Sequence, residues 1–157
     1  MIHRPDKLKE IEQGFARASI VSITGLRQSG KTTLAKEYAG TCGEQSVHFD
    51  LEDPRSLSRF AEPMTALENL HGLVVIDEVQ RFPSVFPILR VLADRPEQLA
   101  RFLILGSASP VLIKEISESL AGRVALLEMD GFNLVEVGSE KMRSLWLTGG
   151  LPPSFLS

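Results

Sequence analysis

In 157 residues this chain has a single cysteine, Cys42, one tryptophan and one tyrosine. A lone thiol cannot pair within the chain, so a disulfide-built scaffold is excluded and a reducing, cytoplasmic setting is expected. Positive charge is in deficit: 17 Lys and Arg stand against 20 Asp and Glu, a formal net charge of -3. That balance leaves no broad basic field for wrapping nucleic acid or coating an anionic membrane. No apolar run approaches the roughly 20 residues that cross a bilayer, and the start Met1-Ile2-His3-Arg4-Pro5-Asp6 is too polar for a signal peptide. His3, His48 and His71 are far apart and lack the paired Cys or His spacing of a zinc site. Internal repeats, low-complexity stretches and Gly/Ser-rich linkers are absent as well. What remains is one domain, long enough to bury a core without covalent or metal staples.

The apolar residues fall into two periods. Leu8, Ile11 and Phe15 after Pro5 predict an amphipathic helix over about 5–18. The β-branched run Ser19-Ile20-Val21-Ser22-Ile23-Thr24 predicts a strand that ends at Gly25, and a helix follows from Lys31 to about Ala39, ending near Gly40. Val47–Leu51 reads as a second strand. Asp53-Pro54 then reads as the cap and first turn of a helix running to about Ala61. Leu73–Ile76 and Phe102–Leu105 are continuously apolar, as strands buried on both faces of a parallel sheet are. Helical spacing lies between them over about 84–94. A helix over about 110–120, with Ser109 as its expected cap, precedes a last strand at Val124–Leu127. Five strands separated by helices predict a three-layer α/β sandwich with a mainly parallel five-stranded sheet. Ligands then sit at the carboxyl ends of the strands. The core is expected over residues 1–131, and 132–157 read as the incomplete start of a following helical region.

Between the first strand and the helix after it lies Gly25-Leu26-Arg27-Gln28-Ser29-Gly30-Lys31-Thr32. This is the G-x-x-x-x-G-K-[ST] loop in the context that the pattern requires. Its glycines let the backbone curl until successive N–H groups face an anion, and the helix that starts there adds its positive dipole end. Lys31 is placed to reach the β- and γ-phosphates of a nucleoside triphosphate. The Thr32 hydroxyl is placed to ligate magnesium, and Thr33 to make a further phosphate contact.

Leu73-Val74-Val75-Ile76-Asp77-Glu78 is a buried strand that ends in two acids. Asp77 reads as the carboxylate that holds magnesium through its water shell, and Glu78 as the base that takes a proton from an attacking water. Paired acids after a strand are also ordinary turn residues, so this element takes its meaning from the loop. Just past another apolar strand, Ser107 reads as a sensor of the γ-phosphate. A polar residue at the end of the second strand could steer Glu78 between active and inactive rotamers, but Asp50 and Asp53 fit strand-end solvation and capping better; Arg81 is open to a role at the site or to the plainer reading of a surface charge at its mouth.

The blocks Gly25–Thr33, Val75–Arg81, Gly106–Ser109 and Leu120-Ala121-Gly122-Arg123 resemble the AAA-type P-loop ATPases of prokaryotes, in particular those whose ATPase domain precedes a C-terminal domain of unknown function. The resemblance implies binding and hydrolysis of ATP with magnesium, a strand order of 5-1-4-3-2, and action on a macromolecule. It also implies assembly with copies of the chain, with Arg123 reaching a neighbouring subunit's γ-phosphate. A helix-terminal arginine serving the last carbonyls is the plainer alternative for Arg123. Relatives of this kind continue beyond Gly149-Gly150-Leu151-Pro152 into a second domain. A protein or nucleic-acid client is therefore expected to act through that missing part. A switch that holds ATP without turnover uses the same loop, and a kinase would need an acceptor pocket and an arginine-rich lid that the sequence does not display. The guanine-reading motif Asn-Lys-x-Asp is absent, which favours ATP.

Overall fold

The strands sort their apolar residues by alternation, and that alternation builds the core. A computed structural model describes residues 2–157. β1 (Ile20–Gly25), β2 (Ser46–Asp50), β3 (Gly72–Asp77), β4 (Ala100–Ser107) and β5 (Val124–Met129) form one parallel sheet in the order β2-β3-β4-β1-β5. This is the expected order 5-1-4-3-2, seen from the other edge. Ile20, Val74, Ile76, Phe102 and Ile104 point to one face, and Val21, Ile23, Leu73, Val75, Leu103 and Leu105 to the other; all are buried. Each fully buried side chain of this size contributes about 1.5–3 kcal/mol relative to exposure.

Helices cover both faces, as a parallel sheet requires. α1 (Pro5–Arg17) and α2 (Lys31–Thr41) supply Ile11, Leu34, Ala35 and Tyr38 to one layer. The other layer takes Phe60 and Leu67 from the α3 (Pro54–Arg59) and α4 (Pro63–Leu67) region. It also takes Val85, Phe86 and Leu89 from α5 (Val85–Ala93), and Leu112 and Ile116 from α6 (Pro110–Ser119). Phe60 lies edge-on to Phe49, with ring centroids 4.8 Å apart. Short helices follow the sheet: α7 (Leu134–Val137), α8 (Met142–Thr148) and α9 (Pro152–Leu156).

Two boundaries differ from the sequence reading. α2 continues past Gly40 to Thr41, and the glycine that turns the chain is Gly43, whose φ of +71° is left-handed. The helix expected to reach Ala61 ends at Arg59 and α4 starts afresh at Pro63, because Phe60 drops into the core and proline cannot continue a helix but opens one readily. Ser109 occupies the cap position of α6 without a side-chain cap bond. Asp53 does cap α3, accepting from Arg55 N.

Candidate functional site

Gly25, at the carboxyl end of β1, has room for no side chain: a Cβ there would overlap the Met129 carbonyl of the neighbouring β5. The chain then curls through Gln28 at φ +63° and Gly30 at φ +93°, a conformation that costs an L side chain and suits glycine. The first bond of α2 runs from Leu34 N to Gly30 O, 2.9 Å, and no side chain caps the helix. The N–H groups of Lys31, Thr32 and Thr33 ahead of that bond are therefore left for an anion, beside the positive end of the helix dipole. Ser29 is fully buried and its Oγ has no partner.

β3, separated from β1 only by β4, brings the acids to this loop. Thr32 Oγ1 donates to Asp77 Oδ2 at 2.5 Å, joining the two residues that sequence reading pairs as magnesium ligands. Burial opposes the charge on Asp77. Even so, the nearby His48 imidazole, the Thr32 hydroxyl and the Glu78 N–H, 2.9 Å from Oδ1, together hold its carboxyl below the usual carboxylate range. His48 Nε2 is 3.9 Å from Asp77 Oδ2, beyond direct hydrogen-bond reach. One carboxylate and one hydroxyl do not make a closed metal cage. They fit magnesium, which keeps several waters and takes further oxygens from substrate phosphates.

Lys31 Nζ donates to Gly25 O at 3.0 Å and Leu26 O at 2.7 Å, curled back into its own loop. Desolvation lowers its pKa, against the pull of Glu78 and Asp77, which favour the charged form. Glu78 itself sits at φ +57°, ψ +44°, left-handed backbone that is strained for a non-glycine residue, and its carboxylate accepts from the Gln80 amide. Ser107, paired with Gly25 across β4 and β1, lines one cavity with Lys31 and Glu78. The sheet thus gathers Lys31, Thr32, Asp77, Glu78 and Ser107 at a single edge.

Arg123 is elsewhere. It precedes Val124, which pairs with Ile20 at the opposite end of β1 from Gly25. Five residues of strand put it roughly 17 Å from the loop. There it forms a fork with Asp94, Nε to Oδ1 at 2.6 Å and Nη2 to Oδ2 at 2.8 Å, and donates to Ala121 O. It cannot reach the nucleotide site of its own chain. Asp50 accepts from Glu52 N, and Asp53 pairs with Arg55 besides capping α3. Arg81 does lie at the site mouth, bonded to Glu52.

Four residues at the candidate site escaped sequence reading. Arg4, 5% exposed, donates to Ser29 O, Asp130 O and Gly131 O and forms a bidentate pair with Glu136 of α7. It braces the loop from beneath. Gln80 binds Glu78, and its proximity two residues on was the only signal available. Pro152 and Pro153 face Gly30, Lys31 and Thr32 across the loop, because Gly150 packs backbone to backbone on Gly131 and accepts from Phe132 N.

A phosphate-binding loop between β1 and α2, acids at the end of β3 and a sheet in this order define a P-loop nucleoside-triphosphatase fold, which is a nucleotide-binding fold. The family described as "AAA domain" matches residues 17–138, and the chain belongs to it. It is 52% identical over 155 residues to Mb2031c of Mycobacterium bovis and, equally, to Rv2008c of Mycobacterium tuberculosis, both uncharacterised. The match takes in 99% of this chain but only 35% of each relative, so the chain spans about a third of their length. Among solved structures, the Walker-type ATPase PABY2304 of Pyrococcus abyssi superposes with a TM-score of 0.70 at 14% identity, over 97% of this chain and 65% of that one. The ORC1 protein of Aeropyrum pernix, solved in complex with DNA, gives 0.58 at 16% identity, over 87% and 47%. The P-loop NTPase domain of a sigma-54 activator from E. coli gives 0.52 at 15%, over 81% and 98%. At these identities the likeness is one of fold. Among the described residues, no helix is long and apolar enough to cross a membrane.

Proposed function

We propose that the chain binds ATP with magnesium and hydrolyses it to ADP and phosphate, driving or gating action on a macromolecular partner in the cytoplasm. The observation that carries this reading is the cavity shared by Lys31, Glu78 and Ser107, adjoining the Thr32–Asp77 pair. The N–H groups of residues 31–33 cradle phosphate oxygens, and Lys31 exchanges its two carbonyl partners for the β- and γ-phosphates. Thr32 and Asp77 hold magnesium, which supplies charge neutralisation to the phosphates. Glu78 takes a proton from water as the water oxygen bonds to the γ-phosphorus. The bond from that phosphorus to the β,γ-bridging oxygen breaks, and ADP leaves with the electron pair. An apolar recess walled by Ile2, Met129, Phe132, Pro152 and Leu156 beside Gly30 and Thr33 suits a stacked base, which supports a nucleotide rather than free phosphate.

On this reading, residues 1–131 are the ATPase core and 132–157 begin the helical region of a longer architecture, in keeping with relatives nearly three times as long. A client, protein or nucleic acid, would engage that further region, since the acidic balance of this chain disfavours direct DNA binding. A second reading, a nucleotide-gated switch without turnover, draws support from Gln80, which holds the Glu78 carboxylate back. One experiment separates the two. The unmodified chain should release phosphate from ATP only with magnesium, and Lys31→Ala should abolish binding of a fluorescent ATP analogue. Binding without phosphate release would favour the switch, and unchanged affinity in Lys31→Ala would reject the nucleotide site.

A further inference from the structure

In the cavity that the proposed γ-phosphate would enter, cations outnumber carboxylates: Arg27, Lys31 and Arg81 stand against Glu52 and Glu78. Glu52 Oε1 accepts from Arg81 Nη2 at 3.1 Å, and the same oxygen lies 3.6 Å from Arg27 Nη2. One carboxylate thus serves two guanidiniums, and all three line the cavity that holds Lys31, Glu78 and Ser107. Arg27 belongs to the loop and is almost wholly exposed. Arg81 is anchored: it closes the short 3₁₀ turn Val79–Arg81, its N–H donating to Glu78 O at 3.0 Å, so the backbone that carries the base also carries this arginine.

We infer that Arg81 reads the γ-phosphate from within the same chain, with Glu52 as the carboxylate that occupies the arginine until a triphosphate displaces it. The inference rests on the nucleotide reading above and adds to it a basis for preferring ATP over ADP. A guanidinium fork matches two phosphate oxygens as it matches a carboxylate, so the exchange keeps Arg81 paired throughout. The displaced Glu52 is partly exposed and returns to water at little cost. ADP ends at the β-phosphate, within reach of Lys31 and the loop N–H groups, and offers Arg81 nothing. Arg123 cannot perform this task in cis, being at the far edge of the sheet.

The test is displacement of a fluorescent ADP analogue by ADP and by a non-hydrolysable ATP analogue, both with magnesium, on the full chain. Arg81→Ala should weaken the ATP analogue about ten- to a hundredfold, the range of a charge-assisted hydrogen bond, while ADP stays within about twofold and so reports an intact fold. Arg81→Lys should recover only part of the preference, because an ammonium cannot present a fork. Glu52→Gln should tighten the ATP analogue relative to ADP by removing the internal competitor. An unchanged ATP-to-ADP ratio in Arg81→Ala, equal loss of both nucleotides, or a weaker ATP analogue in Glu52→Gln would overturn the inference and leave the nucleotide site standing. Failure of the unmodified chain to bind ADP would overturn that site, and the inference with it.

Discussion

Replacing Glu78 by Gln isolates one property of one atom. The amide keeps the length and shape of the side chain, and the backbone keeps its left-handed turn, whose N–H donates to Asp77 Oδ1. Strain of about 1–2 kcal/mol at that position is therefore present in both proteins and cancels. The fold loses the charge in the contact with Gln80, worth about 1 kcal/mol as a charged bond becomes a neutral one, together with the pull of the Glu78 carboxylate on the Lys31 ammonium. Binding should hold or tighten slightly, because the substituted site no longer sets a carboxylate against phosphate. What disappears is the proton acceptor. A general base is worth about 10²–10⁴ in rate, or about 2.7–5.5 kcal/mol on the barrier. Phosphate release from a single turnover at saturating ATP should fall by at least a factor of about a hundred, with the affinity for a fluorescent ATP analogue within about threefold. Turnover equal to that of the unmodified chain would show that Glu78 is only a strand-end acid and that the proton leaves by another route.

If an assembly completes the site, Arg123 must leave Asp94 and approach a neighbour's γ-phosphate, so Arg123→Ala and Lys31→Ala should each be inactive while a mixture regains turnover; no rescue under conditions where mixed oligomers form would reject a finger acting in trans. Arg4→Ala leaves the buried Glu136 carboxylate without its partner and should destabilise the fold by about 3–5 kcal/mol, lowering the thermal midpoint by roughly ten degrees. Adding Glu136→Gln should return part of that loss, and an unchanged midpoint in the single variant would show that the brace does not contribute.

The parts of the candidate site that sequence reading picks out are contiguous in the chain. Gly25–Thr33 is one segment, and Asp77-Glu78 follows its strand directly, so a local pattern with correct flanks was sufficient to find them. The strand order placed the segments together, and it came from resemblance rather than from periodicity. The contacts that stayed hidden join distant residues: Arg4 to Glu136 across 132 positions, Arg81 to Glu52 across 29, Pro152 to Gly30 over the loop. Nothing in a single chain marks such partners, because the distance between them is settled by topology. The position of Arg123 follows the same rule: its neighbours in sequence say that a helix ends there, and only the register of β5 on β1 says which end of the sheet that is. The helix ends at Thr41 and Arg59 were missed for a different reason, since glycine and proline both stop helices and only packing decides which one does.

The side chains around the loop are engaged with one another and with the backbone: Lys31 with two carbonyls, Thr32 with Asp77, Glu78 with Gln80, Arg81 with Glu52. Arrival of a ligand is therefore a swap of partners in which most bonds formed replace bonds broken. Such a reaction releases modest heat, asks little ordering of the backbone and reverses readily, as the proposed hydrolysis would require for its product to leave once per cycle.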